Sequence, residues 1–302
     1  MALEYVMNPR LNERPAPQDR CGLITANVSS LHTGLCYVAP SSERLYNCMY
    51  EPPDGSPQDN CKYEAHTVRI TDARSLSAAP SIHREGFELW NAPSEVVDFR
   101  NDEEVRKIYS EECVELACAV TGGTRAYVFD HAVRRREAGR PSLTFGRHGD
   151  GSKPAAAGRL HNDYTEESGR KRLALVLGNG DEAKAIRRYC LVNIWRSIAG
   201  PVKDTPLAIS DARSIAASDL YVSEVRYPTR TGEIYLLGYS PRHRWFYYSG
   251  MDRHEALVFK QYDSQTSGVA RYTPHGAFDL PRTPADAPLR ESIEVRCLVV
   301  ME

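Results

Sequence analysis

Arg290-Glu291-Ser292-Ile293-Glu294-Val295-Arg296-Cys297 is the stretch on which the fold class turns. Side chains of a strand alternate between its two faces. Arg290, Ser292, Glu294 and Arg296 therefore share one side of this run, and Ile293, Val295 and Cys297 share the other. The run continues to residue 300, and six more β-rich segments precede it, at 190–195, 207–210, 220–225, 233–237, 245–248 and 256–262. Turns rich in Pro, Gly, Asp and Ser separate them. Such a succession, without intervening helices, predicts a mainly β protein with flanking helices, an antiparallel jelly roll or barrel, and not an alternating β/α fold.

Upstream, Pro52-Pro53-Asp54-Gly55-Ser56-Pro57 reads as a loop, and 66–70, 87–90 and 96–99 as short extended runs. Asn101 followed by Glu104 has the form of a helix start, a variant of the capping box. Val105, Ile108, Tyr109, Cys113, Leu116 and Val120 then recur at helical spacing, and Gly122-Gly123 ends the helix. Residues 125–129 form a predicted strand, and 165–185 one or two short helices. The glycine-containing, basic segment 134–158 is expected to be a long loop that acts as a substrate lid. Its opening run, Arg134-Arg135-Arg136, is expected to be a solvated face, the alternative being that it helps hold an acidic substrate at the mouth of the site. The whole chain, 1–302, is expected to be one domain, with 1–124 an N-terminal decorating region containing the helix and 125–302 the β-helix core.

The 302 residues are 41% apolar, enough for a substantial core, and the formal charge of −2 gives no global attraction to nucleic acid or anionic membrane. No apolar run approaches the roughly 18 residues a spanning helix needs. Eight cysteines contain no Cys-x-x-Cys pair, which argues against a zinc knuckle or a thioredoxin-like site and favours reduced thiols in a cytoplasmic protein. Neither nucleic acid nor membrane is expected as a partner, and a homodimer is left open.

The chemistry-bearing residues start at His161-Asn162-Asp163. In extended chain, residues i and i+2 point the same way, so His161 and Asp163 can offer an imidazole and a carboxylate to one metal. His275 follows Thr273-Pro274, where the residue before proline is extended, and can enter from an opposite strand. Two imidazoles and one carboxylate suit Fe(II) and leave coordination positions open. Arg290 and Ser292 supply a planar cation and a neutral donor for a distal carboxylate. Arg296, farther along the same face, is the other candidate, and the alternative for Arg290 is a structural salt bridge. Asn193, Trp195 and Arg196 are candidate cavity residues, as is Tyr164; the competing reading is ordinary packing. His243 and His254 sit among charged residues and are expected to be exposed.

The order of segments is itself informative. Val128-Phe129-Asp130-His131, His161-Asn162-Asp163-Tyr164-Thr165, Asn193-Ile194-Trp195-Arg196, Gly200-Pro201-Val202, His243-Arg244-Trp245, Phe259-Lys260-Gln261-Tyr262-Asp263-Ser264, Pro274-His275-Gly276 and Arg290-Glu291-Ser292 occur in sequence. The chain from about residue 85 to 302 thereby resembles the family holding fungal gibberellin-desaturase-like proteins, the cephamycin 7α-hydroxylase component and fungal endoperoxide-forming oxygenases. The resemblance implies a double-stranded β-helix, Fe(II) and 2-oxoglutarate, with His161, Asp163 and His275 as ligands and Arg290 or Arg296 holding 2-oxoglutarate. It further implies C–H abstraction from a specialised metabolite or its amino-acid-derived precursor, ending in hydroxylation, desaturation or ring closure such as aziridine or endoperoxide formation. The alternative is a cupin-like metal isomerase or dioxygenase that needs no 2-oxoglutarate.

Overall fold

The structure, a computed structural model, describes residues 29–136, 157–284 and 286–301. In chain order the strands are β1 (Ser30–Val38), β2 (Leu45–Cys48), β3 (Tyr63–Asp72), β4 (Phe87–Asn91), β5 (Arg125–Arg135), β6 (His161–Asn162) and β7 (Tyr189–Ser197). They continue with β8 (Leu207–Ser210), β9 (Leu220–Arg226), β10 (Thr231–Leu237), β11 (Trp245–Tyr247), β12 (Glu255–Asp263), β13 (His275–Ala277) and β14 (Glu291–Val300). Helices α1 (Asp102–Glu104) and α2 (Ser110–Thr121) lie between β4 and β5, and α3 (Glu166–Leu177) and α4 (Asp181–Ala185) between β6 and β7. A nine-stranded sheet runs β1-β3-β11-β8-β13-β6-β10-β9-β2, and a five-stranded sheet runs β4-β12-β7-β14-β5. Only the β3–β11 and β2–β9 pairs are parallel among these neighbours.

The seven β-rich runs of the C-terminal half are all strands, and the architecture is the expected jelly roll. β1, β2 and β3 belong to the large sheet and β4 to the small one, so the first part of the chain is woven into both sheets.

Asn101 caps the helix, its side chain accepting from the Glu103 and Glu104 amides. A π-helical turn, Val105–Tyr109, which apolar spacing did not announce, joins α1 to α2. Gly122 closes α2 at φ 72°, a left-handed conformation that a side chain would strain.

Alternation along the small sheet assigns its two faces. Val192, Ile194, Val258, Ile293, Val295 and Cys297 are buried on the outer face against Val105, Tyr109, Cys113, Leu116 and Val120 of the helix. Each large apolar side chain so buried contributes roughly 1.5–3 kcal/mol. The inner face looks toward the large sheet. One end is apolar, where Phe87, Leu89, Trp195, Leu257 and Phe259 meet Leu207 and Ile209. At the other end Tyr164, Tyr189, Leu191, Tyr262 and Leu298 form an aromatic-rich cluster backed by α3. Between these ends lie buried polar residues, Asn193 and Glu294.

Several expectations need correction. Arg196 does not line the interior, because it shares the outer face with Ile194. Its Nε donates to the Tyr109 hydroxyl at 2.9 Å and its Nη1 to the Arg253 carbonyl at 2.6 Å, beside a separate cleft of about 320 Å³. Arg134-Arg135-Arg136 is not a uniformly solvated face, since it ends an edge strand. Arg135 is exposed and pairs with Glu291, whereas Arg136 is partly buried on Asp204 and Thr205. His243 is not exposed: its ring is buried with Nε2 3.1 Å from Asp219. The expected lid falls mostly on 137–156, outside the described residues.

Two substitutions test this packing. A Cβ at Gly169 of α3 would come within 2.5 Å of the Tyr262 ring. In an open helix Gly→Ala would gain about 0.8–1 kcal/mol. Here overpacking against a buried ring costs about 1–3 kcal/mol, so Gly169→Ala is expected to lower the denaturation midpoint; a rise would refute the close approach. Arg196→Ala should cost about 1.5–3 kcal/mol through its lost charge-assisted hydrogen bonds, measured by chemical denaturation, while divalent-metal binding by the folded protein stays unchanged.

Candidate metal centre

β6 and β13 are short, and they are direct neighbours in the large sheet. His161 pairs with His275 across them, ring centroids 4.5 Å apart. Asp163, two residues past His161, returns to the same side. One ligand atom from each of His161, Asp163 and His275 lies within 4.8 Å of the others.

Each histidine is oriented through its Nδ1. That of His161 donates to the Arg159 carbonyl at 2.9 Å, and that of His275 lies 3.3 Å from the Thr273 carbonyl. Because a carbonyl can only accept, these contacts place the proton on Nδ1 and leave Nε2 as the donor to a metal. Burial, then the neighbouring His161, pushes the His275 pKa down to about 3, so its imidazole is neutral at physiological pH. Burial opposes ionisation of Asp163, yet Arg296, followed by His161 and His275, holds its carboxyl well below the usual range.

The segments bearing these ligands are tied together by buried amides. Gln261 accepts from the Asp163 amide at 2.7 Å, and its Nε2 lies 3.3 Å from the Thr273 carbonyl. Asn162, whose side chain points away from the metal side, donates to the carbonyls of Tyr164 and Gln261, both at 2.8 Å, and accepts from the Thr273 amide at 3.0 Å. A β-bulge between Lys260 and Tyr262 places Gln261 there. Sequence patterning gave Gln261 no role, because regular alternation cannot foresee which residue a bulge turns inward.

The remaining candidates separate cleanly. Asn193 donates to Asp163 Oδ2 at 2.9 Å, so it supports a candidate ligand. Arg296 is engaged on every side: Nε with Asp163 at 2.8 Å, Nη1 with Asp130 at 2.7 Å and Nη2 with Glu294 at 2.8 Å. Arg290 is the opposite case. It is buried, its Nη1 donates to the Thr205 carbonyl at 3.0 Å, and its Nε has no hydrogen-bond partner among the described residues. Its guanidinium lies over the Trp195 ring, 5.5 Å from the centroid. Burial, then the nearby Arg134, pushes its pKa down to about 10 against the opposing influence of Asp204 and Glu294, so it remains cationic. Ser292 is buried on the same face of β14, opposite Ser197 and Arg134. Tyr164 sits in the aromatic cluster beneath α3, with the Arg172 guanidinium 5.4 Å from its ring centre.

Two imidazoles oriented through their Nδ1 atoms and a carboxylate form a donor set suited to Fe(II), and a buried arginine whose Nε has no partner among the described residues suits the carboxylate of a second ligand. A family described as "Oxidoreductase/YMDC permease-like domain" matches residues 35–300. Among described residues, no helix is long and apolar enough to cross a membrane. The hydroxylase/desaturase efuI of Hormonema carpetanum is 30% identical over 80% of this chain and 85% of its own length. The Fe(II)/2-oxoglutarate-dependent dioxygenase nvfI of Aspergillus novofumigatus is 30% identical over 86% of this chain and 92% of its own. The solved structure of the iron and α-ketoglutarate-dependent endoperoxidase NvfI superposes with a TM-score of 0.76 at 27% identity, covering 90% of this chain and 98% of that one. By sequence and by fold, the chain belongs to the family of Fe(II)/2-oxoglutarate-dependent dioxygenases and hydroxylase/desaturases that these fungal proteins represent.

Proposed function

We propose that this chain, an Fe(II)/2-oxoglutarate-dependent oxygenase of secondary metabolism, holds iron through His161 Nε2, His275 Nε2 and Asp163, and 2-oxoglutarate through Arg290. The observation that carries the reading is the pairing of a pre-oriented triad with a buried guanidinium whose Nε has no partner among the described residues. With both ligands bound, iron supplies dioxygen activation and the oxidising power for C–H abstraction from a small-molecule substrate.

The chain's own contribution is placement. Arg290 would meet the far carboxylate of 2-oxoglutarate with its planar fork, and Ser292 would add a neutral donor beside it. The apolar end formed by Trp195, Leu207, Leu257 and Phe259 excludes water from this region, which strengthens the charge-assisted contact. Asn193 and Arg296 hold the ligand carboxylate, and so they do not serve as anchors for 2-oxoglutarate. The alternative of a 2-oxoglutarate-independent cupin-like enzyme is disfavoured by relatives whose names include 2-oxoglutarate or α-ketoglutarate dependence. Within this reading the substrate is a specialised metabolite or its precursor, and Tyr164 is a candidate contact to it. A cytoplasmic location fits the seven described cysteines, all free thiols.

Anaerobic titration with Fe(II) and then 2-oxoglutarate, followed by visible absorbance, tests both ligands together. His161→Ala, Asp163→Ala and His275→Ala should each abolish iron binding in a folded protein; wild-type iron content in all three would refute the triad. Arg290→Ala should weaken 2-oxoglutarate by roughly 1.5–3 kcal/mol, the worth of a hydrogen bond to a charged group, with Fe(II) affinity little changed. Lysine at this position should restore only part of the loss, because a point charge cannot copy the fork. If Arg296→Ala shows this selective phenotype in place of Arg290→Ala, the assignment of the two arginines is reversed.

A further inference from the structure

We infer that Arg296 is a positioning residue of the metal centre, fixing which carboxylate oxygen of Asp163 faces the metal. This rests on His161, Asp163 and His275 being the ligands.

The argument starts from the donors around one oxygen. Asp163 Oδ2 accepts from Arg296 Nε at 2.8 Å and from Asn193 Nδ2 at 2.9 Å, whereas Oδ1 lies 3.4 Å from His161 Nε2. Two strong donors occupy Oδ2, so Oδ1 is the oxygen left toward the triad. For Asp163 to rotate and offer both oxygens, it would have to give up a charge-assisted bond in a largely buried site.

Arg296 is itself fixed. Its Nη1 meets Asp130 at 2.7 Å and its Nη2 meets Glu294 at 2.8 Å, with the arginine side chain only 15% exposed. Asp130 is its direct partner across β5 and β14, beside a bulge at which β14 passes from Arg296 to Cys297 while β5 passes from Asp130 to Val128. The bulge and Glu294 thus aim the guanidinium, and the guanidinium aims Asp163. Three acids on three sides of one planar cation define its orientation in a way that lysine, with a single nitrogen, cannot reproduce.

The test uses the full-length apoprotein and Co(II) alone, whose visible absorption reports both affinity and coordination. Loss of an outer partner of a ligand typically weakens metal binding about 10–100-fold, and this is the loss expected for Arg296→Gln and, more mildly, for Arg296→Lys, together with a changed Co(II) spectrum. Asp130→Asn, which leaves the Arg296–Asp163 contact in place, should weaken Co(II) less than Arg296→Lys does. Circular dichroism of the apoproteins establishes folding, and should Arg296→Gln not fold, Arg296→Lys and Asn193→Ala decide. Wild-type affinity and spectrum in folded Arg296→Lys would overturn the positioning role. His275→Ala separates the two levels: if it loses Co(II) while Arg296→Lys does not, this inference alone fails, whereas wild-type Co(II) binding by His275→Ala overturns the ligand assignment and this inference with it.

Discussion

The arrangement of the triad depends on one irregularity in β12, the bulge between Lys260 and Tyr262. In a regular strand, adjacent side chains point to opposite faces. The bulge lets Gln261 and Tyr262 both reach the interior, Tyr262 into the aromatic cluster and Gln261 toward the ligands. β6 and β13 are only two and three residues long, so their ladder hydrogen bonds hold the ligands weakly. Gln261 and Asn162 supply what the ladders lack, linking the Asp163 amide, the Thr273 amide and carbonyl and the Gln261 carbonyl in one buried network. Each buried polar group left unmatched would cost about 1–3 kcal/mol, so the network favours one arrangement over partial ones.

The same sheet carries two kinds of buried arginine, and the contrast separates structure from chemistry. Arg196, on the outer face, satisfies its guanidinium with a tyrosine hydroxyl and a backbone carbonyl under the helix. Arg296, on the inner face, is shared among three acids. Arg290 lies on that inner face too, but it has the Thr205 carbonyl and the Trp195 ring where Arg296 has carboxylates. Strand alternation sorts Arg196 from the others, and the neighbouring strands then sort Arg290 from Arg296.

Much of this was legible in the sequence because periodicity reports what is buried. The alternation from Arg290 to Cys297 places Ile293 and Val295 against the helix and Arg296 inside. His161 and Asp163 read as a pair because the i, i+2 relation survives beyond the end of a short strand. What alternation could not supply is anything set by a partner distant in sequence. Arg196 follows an inward-facing Trp195, and grouping the two as cavity residues ignored that neighbours point apart. The choice between Arg290 and Arg296 needed Asp130 and Glu294 in place around the latter. The π-turn and the bulge at Gln261 are single-residue departures from period, invisible to any argument from period.

On the proposed assignment, the Nε of Arg290, without a partner among the described residues, connects stability to ligand binding. Leaving a buried donor unsatisfied costs about 1–3 kcal/mol, more when it is charged. The cation is retained although burial and the neighbouring Arg134 disfavour it, with Asp204 and Glu294 offsetting them only in part, and on the proposed assignment this favours a carboxylate arriving from solution. A ligand that binds only the folded chain adds about 2.7 kcal/mol of stability at a concentration of 100 Kd, comparable to that cost. Pairing Arg290 internally, as Arg296 is paired, would remove the deficit and with it the attraction for a second anion. On the proposed assignment the two arginines of β14 divide the work: one has its charge satisfied within the chain so that Asp163 stays in place, and the other keeps its Nε without a partner among the described residues so that a cosubstrate can be held.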